Sequence, residues 1–391
     1  MSRLSPLLLL LAMACGGDAP SNPEGGPTKA DEGRGDEGDG HDTPAPKAPM
    51  KEFGPGEGWE PKAGKPVDML TDAEKKHLSD LRQLTFGGEN AEAYWSPDGK
   101  KLIFQRTPED GGCDAEMEFD LDSGETKLLS SGKGRTTCGY YSWPDGGKYI
   151  YATTESGGEE CPPVPDHSKG YVWPLYDTFD LVWQEPGGEP KPFLANKGYD
   201  AEATICFQDG TIVFTSTRSG DLELWTVKPD GSDLKQLTDK PGYDGGAFFT
   251  QDCSRIVWRA SRPEGPQLED YKSLLAENMV RPSRLDIFSM KPDGTDVRQH
   301  TDNASANFGP YPTPKMDQIL FSSNLGGNPR EFDLWLVPMA GAGDPERVTH
   351  TDGFDGFPMF SPDGRWLVFA SNRATEEGKH DTNLFLARWK D

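Results

Sequence analysis

The sequence predicts an all-β protein: a six-bladed β-propeller with four-stranded antiparallel blades, its ring closed by the N-terminal strand in the last blade. Three observations carry this expectation. A turn phrase recurs as Tyr94-Trp95-Ser96-Pro97-Asp98-Gly99 and Phe360-Ser361-Pro362-Asp363-Gly364, with variants at Trp143-Pro144-Asp145-Gly146 and Phe207-Gln208-Asp209-Gly210. Degraded copies stand at Phe249-Thr250-Gln251-Asp252 and Tyr311-Pro312-Thr313-Pro314. The copies are spaced by roughly fifty residues, each followed by runs rich in branched and aromatic residues. Finally, the last unit lacks a fourth strand, and an unclaimed strand stands ahead of the first unit.

Each part of the phrase has a physical reason. Proline presets φ at the first corner of a type I turn, aspartate hydrogen-bonds the turn backbone, and glycine takes the left-handed position that follows, so the phrase closes a hairpin. Second strands such as Leu102-Ile103-Phe104, Thr211-Ile212-Val213-Phe214, Arg255-Ile256-Val257-Trp258, Ile319-Leu320-Phe321 and Trp366-Leu367-Val368-Phe369 read as buried on both faces. Third strands follow, as in Leu222-Glu223-Leu224-Trp225-Thr226-Val227 and Asp286-Ile287-Phe288-Ser289-Met290. Fourth strands are short, as in Leu234-Lys235-Gln236-Leu237-Thr238 and Arg347-Val348-Thr349. The last unit stops at Trp389 after its third strand, whereas Leu81-Arg82-Gln83-Leu84-Thr85 is a fourth-strand sequence with no unit before it. Placed in blade six, it closes the ring and removes the open edges that invite aggregation.

Ahead of the ring, residues 1–15 read as a secretory lipoprotein signal, with Arg3 as its positive start, an apolar run at 7–11, and Ala12-Met13-Ala14 leading to Cys15. That run is too short to span a bilayer. Cys15 stands where a bacterial lipobox places the cysteine that becomes lipidated; the alternative is an ordinary signal cleaved near Ala14. Gly16 replaces the Asp that retains lipoproteins at the inner membrane, which points to the outer membrane facing the periplasm. Residues 16–66 are dominated by Gly, Pro, Asp and Glu and read as a disordered tether, leaving residues 67–391 for the folded part. Thr71-Asp72-Ala73-Glu74 is a capping-box pattern, and the absence of Gly and Pro as far as Leu81 predicts a short helix there. The net charge of -25 over 391 residues argues against a nucleic-acid partner, since a phosphate backbone would be repelled.

With Trp-Ser-Pro-Asp-Gly-Lys at 95–100 and Phe-Ser-Pro-Asp-Gly-Arg at 360–365, residues 81–391 resemble the TolB-like propeller repeat family. The resemblance implies the propeller. The separate α/β domain that TolB proteins carry ahead of it, which binds envelope partners, has no counterpart in the tether and short helix here. Similar repeats form the propeller of prolyl oligopeptidases, but their chemistry belongs to an α/β-hydrolase domain, and the sequence contains no Gly-x-Ser-x-Gly.

Propeller topology assigns the blade connections and the second-to-third-strand loops to one rim, and the Pro-Asp-Gly turns to the other. Two insertions fall on the first rim. Blade two expands through Cys161-Pro162-Pro163-Val164-Pro165-Asp166-His167 and Tyr171-Val172-Trp173-Pro174-Leu175-Tyr176-Asp177, and blade four expands over residues 263–285. Loops on a rigid scaffold present recognition groups or merely cover the channel mouth. Leu268, Tyr271, Leu274, Leu275 and Met279 recur at helical spacing, predicting a short amphipathic helix that packs onto that rim or docks a partner.

The innermost strands open with acidic or amide residues: Asn90-Ala91-Glu92, Asp200-Ala201-Glu202, Asp244-Gly245-Gly246, Asp355-Gly356-Phe357, and Asn307 in blade five. Brought round the axis they form either an acidic funnel able to hold a basic peptide or a cation such as calcium, or a set of caps on the tight entry into each blade. Glu92, Asp166, His167, Asp200, Glu202, Asp244 and Asp355 are therefore the candidate rim residues. Among the cysteines, Cys206 and Cys253 are expected to pair near the lower ends of adjacent inner strands, and Cys138 with Cys113 or Cys161 at the upper rim.

No catalytic residue, cofactor or metal-ligand set is assigned. Gly132-Lys133-Gly134 lacks the spacing of a phosphate loop, and Asp120-Leu121-Asp122-Ser123-Gly124 stands where a third-to-fourth-strand turn belongs. The sequence thus reads as a monomeric, lipid-anchored envelope scaffold that binds a protein, peptide or glycan through one rim. The alternatives are a metal-assisted lyase or hydrolase using the acidic mouth and His167, or a spacer.

Overall fold

The computed structural model describes residues 50–391 except 164–167, 169, 283, 327 and 329. Six antiparallel sheets ring a central axis, with inner strands Glu89–Trp95, Thr136–Tyr141, Asp200–Ile205, Asp244–Phe249, Asn307–Pro312 and Asp355–Phe360. Five sheets have four strands among the described residues; the sixth carries an additional short outer strand, Lys65–Pro66.

The ring closes as expected. Leu78–Gln83 pairs with Asn383–Trp389 in blade six, with Arg82 opposite Leu386 and Gln83 opposite Phe385. Thr85 Oγ1 then donates to Asn383 Oδ1 at 3.1 Å. This closing strand starts at Leu78 rather than Leu81, which shortens the expected helix. The capping box does form, Thr71 N donating to Glu74 Oε2 at 2.7 Å and Glu74 N to Thr71 Oγ1 at 3.3 Å, but only one 3-10 turn, Glu74–Lys76, follows. Glu74 is wholly buried and receives Arg373 Nη2 at 3.1 Å, so the turn is pinned to blade six and the chain enters the sheet at once.

The second strands Ile212–Ser216, Ile256–Ala260 and Trp366–Ser371 are buried at every position, because neighbouring blades cover both of their faces. Trp258, Trp366, Phe104, Phe214, Phe321 and Phe369 are the large fully enclosed side chains of these layers. The turn phrase works as its chemistry predicts. Ser96 Oγ donates to Asp98 Oδ1 at 2.6 Å, Gly99 N to Ser96 O at 2.8 Å, and Gly99 holds φ 65°. Where the phrase has degraded, the left-handed corner persists without glycine, at Cys253 (φ 56°) and Met316 (φ 58°).

Cys206–Cys253 forms, with Cα atoms 5.6 Å apart, joining the lower turns of blades three and four. The second pairing differs from expectation: Cys113 binds Cys161, and Cys138 is free. Cys113 and Cys161 both lie on rim loops, whereas Cys138 sits on an inner strand with its thiol turned to the axis, 3.2 Å from Glu92 Oε2.

The tether expected over residues 16–66 also ends early. The signal segment and Cys15 lie outside the described residues, but residues 50–66 form a strap across the lower face. Lys51 N donates to Gln208 Oε1 at 2.9 Å in blade three, Gly54 N to Pro97 O at 2.9 Å in blade one, and Arg365 Nη2 to Trp59 O at 3.0 Å in blade six. Phe53 meets Trp143 of blade two edge-on at 4.8 Å. Two aromatic side chains and hydrogen bonds to the turns of blades one, three and six thus hold a segment whose composition alone would leave it disordered.

Candidate functional site

All six inner strands slip register at the same level, between Ala91 and Tyr94 in blade one and at the matching positions of the other five. The bulged residues Glu92, Cys138, Glu202, Gly246, Gly309 and Phe357 all hold φ between 54° and 57°. The left-handed region costs a non-glycine residue about 1–2 kcal/mol, and the bulge re-aims its side chain. Here all six residues border one cavity on the axis.

Two residues further along each strand stand Tyr94, Tyr140, Thr204, Phe248, Tyr311 and Met359. Tyr94 reaches Phe248 of the opposite blade at 5.9 Å between ring centroids, and Phe248 reaches Tyr311 at 5.3 Å. These aromatics form a floor that divides the channel into an upper chamber and a lower mouth.

Above the floor, blade four places Gly246 where the other blades have room for a side chain, and a Cβ there would stand 2.5 Å from Arg259 Nη1. The glycine therefore lets the Arg259 guanidinium lie across the axis. Arg259 pairs with Glu202, and its Nε donates to Tyr243 Oη at 3.0 Å. Glu202 also accepts from Thr215 Oγ1 at 2.6 Å, Gly246 N at 3.0 Å and Tyr243 Oη at 3.0 Å. Glu202 is saturated.

Glu92 is not. Its Oε2 accepts from Tyr94 Oη and Cys138 Sγ, both at 3.2 Å. Burial raises its pKa above the usual carboxylate value, the Cys138 thiol hydrogen bond offsetting part of that effect. Burial and the neighbouring Glu92 push the Cys138 thiol well up, so it stands as a neutral donor and not as a thiolate.

The other candidate carboxylates lie elsewhere. Asp200, Asp244 and Asp355 are buried and are not among the residues that line the axial cavities. Arg218 Nη2 donates to Asp200 Oδ2 at 2.8 Å, Arg262 Nη2 to Asp244 Oδ1 at 2.7 Å, and Arg373 Nη2 to Asp355 Oδ2 at 2.8 Å. Each arginine follows its aspartate by the same interval, at the end of the second strand. Asn90 and Asn307 hold this place in blades where the corresponding later residues are Pro108 and Leu325, and their amides donate to Thr382 O at 2.9 Å and Leu285 O at 2.7 Å instead. Of these five positions, Asn90 and Asn307 bond backbone at the blade entry and the three aspartates are held by arginines. Asp166 and His167 lie outside the described residues.

The two insertions meet over the mouth. Trp173–Pro174 from blade two pairs antiparallel with Met279–Val280 from blade four, passing over blade three, and Leu175 N donates to Asn278 O at 2.7 Å. The helix Pro266–Leu275 packs beneath this clasp through Tyr271 and Leu274, and Tyr271 Oη is bonded to Asp221. Met279, expected as the last apolar position of the helix, belongs to the clasp strand because the helix ends at Leu275. Under the clasp lies a chamber of about 240 Å³ walled by Trp173, Tyr176, Phe179, Tyr199, Phe308, Phe332 and Phe357, with Glu92, Cys138, Glu202 and Arg259 at its base.

Sequence reasoning missed Arg259, Tyr243 and the phenylalanines of blades five and six. Arg259 carried a signal: it is a charged residue inside the otherwise apolar run Ile256-Val257-Trp258.

No protein-family model matches the chain. A structure assigned as TolB from Agrobacterium tumefaciens superposes with a TM-score of 0.52 at 19% identity, covering 78% of this chain and 91% of that one. TolB from Acinetobacter baumannii gives 0.50 at 17% identity, over 78% of this chain and 64% of its own. The fold is a TolB-like six-bladed propeller. A gluconolactonase from Xanthomonas campestris has the same fold, with a TM-score of 0.51, 13% identity, and 88% and 99% coverage. In sequence, the uncharacterized protein Atu1656 of Agrobacterium fabrum is 29% identical over 51% of this chain and 81% of its own length. The uncharacterized peptidase YuxL of Bacillus subtilis is 24% identical over 59% of this chain, which spans 28% of that relative. Structures assigned as TolB and a gluconolactonase share this fold, so function has to be argued from the chamber.

Proposed function

We propose that the protein is an extracytoplasmic binding module that takes part of a protein, peptide or glycan into the chamber beneath the clasp. The observation that carries this reading is the clasp itself: insertions from two non-adjacent blades join above a deep, aromatic-walled cavity with a few polar groups at its base. Concave, mostly apolar cavities with a small set of convergent polar groups are the usual form of ligand sites. Two disulfides support an oxidising compartment. Lipidation at Cys15, an outer-membrane location facing the periplasm and a monomeric state complete the proposal. Among the described residues no group of three or more His, Cys, Asp or Glu converges as a metal site, so the metal-assisted lyase or hydrolase reading draws no support from this geometry.

Ala91→Trp fills the chamber from its wall, since Ala91 borders the cavity. Wild-type protein and this variant, immobilised separately, are exposed to envelope extract and the retained protein, peptide and glycan identified by mass spectrometry. Loss of a wild-type partner from the variant, at unchanged melting temperature, is the expected result. Retention of the same set by both would sink the chamber as the binding site. Acyl labelling of wild type against Cys15→Ser tests the anchor.

A further inference from the structure

We propose that the chamber selects a ligand carrying an alkylammonium group, as a lysine side chain presents it, and seats that group against Glu92. This rests on the chamber being the binding site and adds what it recognises.

The charges bordering the cavity do not balance. Arg259 is committed to Glu202 and Arg135 to Asp114, which leaves Glu92 as the carboxylate without a cation among the described residues. Both hydrogen bonds to Glu92 fall on Oε2. Among the described residues no hydrogen bond falls on its Oε1, and Glu92 lines both the chamber and the axial cavity below it. The groups nearest it, Tyr94 Oη and Cys138 Sγ, are neutral donors, and the burial that raises the Glu92 pKa is the same desolvation that an arriving cation would offset.

The shape agrees with the charge. The bulge layer has side chains at Glu92, Cys138, Glu202 and Phe357 but none at Gly246 and Gly309, and a Cβ on Gly309 would meet nothing nearer than 3.5 Å. The Gly246 gap is taken by the Arg259 guanidinium; at Gly309 a Cβ would lie in ordinary van der Waals contact with Phe357 and Ser322 Oγ, which leaves space beside the axis for a group of about methyl size, as an ammonium head is. Above this level the walls carry the rings of Tyr199, Phe179 and Phe308, and a cation within about 6 Å of a ring centroid, over its face, is attracted by its quadrupole. An aliphatic stem with a terminal ammonium satisfies both parts: methylene groups against the rings and charge against the carboxylate. An anionic group would meet Glu92 and Glu202 with both lining arginines already engaged.

Three matched probes test this by calorimetry on the full protein: acetyl-Phe-Lys-amide, acetyl-Phe-norleucine-amide and acetyl-Phe-Glu-amide. The lysine probe is expected to bind at least about tenfold more tightly than the norleucine probe, and the glutamate probe most weakly. Glu92→Gln, which preserves side-chain shape, is expected to bring the lysine-to-norleucine ratio to about one. Equal affinity of the lysine and norleucine probes for wild type, with both displaced by Ala91→Trp, would overturn the ammonium inference and leave the chamber as a binding site. Binding that Ala91→Trp does not weaken would overturn both, as would the absence of binding by all three probes.

Discussion

The two ends of the channel are built from the same inner strands and end differently. The lower mouth is occupied by the chain itself: Phe53 reaches in among Tyr140, Trp143, Phe207 and Tyr311, and the strap is bonded to the turns of blades one, three and six. At the upper end the chain supplies cover instead of filling, with insertions clasped over a chamber whose base carries an unbalanced carboxylate. The upper end itself holds two kinds of charge. The aspartates at the blade tops are buried under arginines, whereas Glu92 and Glu202, two residues further along their strands, sit on the axis. A side chain's level along the inner strand, and not its charge, decides whether it serves the scaffold or the cavity.

Breaking the buried ring should have the largest effect. Arg373 is wholly buried and shared between Asp355 and Glu74, so Arg373→Ala leaves two buried carboxylates without their cation. Removing one partner of a buried pair costs about 3–5 kcal/mol. Urea denaturation of this variant should show that loss, and a loss below about 1 kcal/mol would mean that water reaches the triad and that the two rings are not as distinct as their geometry implies.

A smaller effect is expected at the lower mouth. Phe53→Ala removes a partly buried ring from a contact with Trp143, for which about 2 kcal/mol is a fair measure. Because the aromatic floor separates the two ends, affinity of the upper chamber for the lysine probe should stay unchanged. A parallel fall in affinity, with the fold intact, would show that the floor transmits between them.

How much of this was legible in the sequence follows from how local each cause is. The blade count was readable because Ser96-Pro97-Asp98-Gly99 and its copies satisfy their turn within a few residues, and even the closing strand kept the Thr85 signature of a fourth strand. The strap was not readable, since Phe53 and Trp59 find order only in pockets made by distant blades. The blade-top aspartates lay between these cases. Their arginines, Arg218, Arg262 and Arg373, recur at a constant interval in the sequence, and Asn90 and Asn307 replace aspartate where that arginine is missing. Cys138 was misassigned as a disulfide partner because its rim position concealed a bulge that turns the thiol inward.

The smallest effect separates the axial carboxylate from the scaffold most cleanly. Burial raises Glu116 and Glu223 to about 8, Asp333 to about 7, and Asp244 and Asp286 to about 6. For a carboxylate whose folded pKa lies above its unfolded value, the folded state holds a proton that the unfolded chain has released. The stabilisation is complete below about pH 4 and is lost as pH rises through the folded pKa. The melting temperature should therefore fall between pH 5 and pH 8.5. Glu92 belongs to this set: the groups facing it are Tyr94, Cys138, Glu202, Arg259 and, behind the inner strand, Glu116, and burial outweighs the arginine. Glu92→Gln should match wild type near pH 4 and exceed it slightly near pH 8, because the variant has no charge to desolvate. If Glu92→Gln instead melts lower than wild type at pH 8, the Glu92 carboxylate is already paired with Arg259 in the empty chamber, and the axial ring joins the scaffold with the aspartates above it.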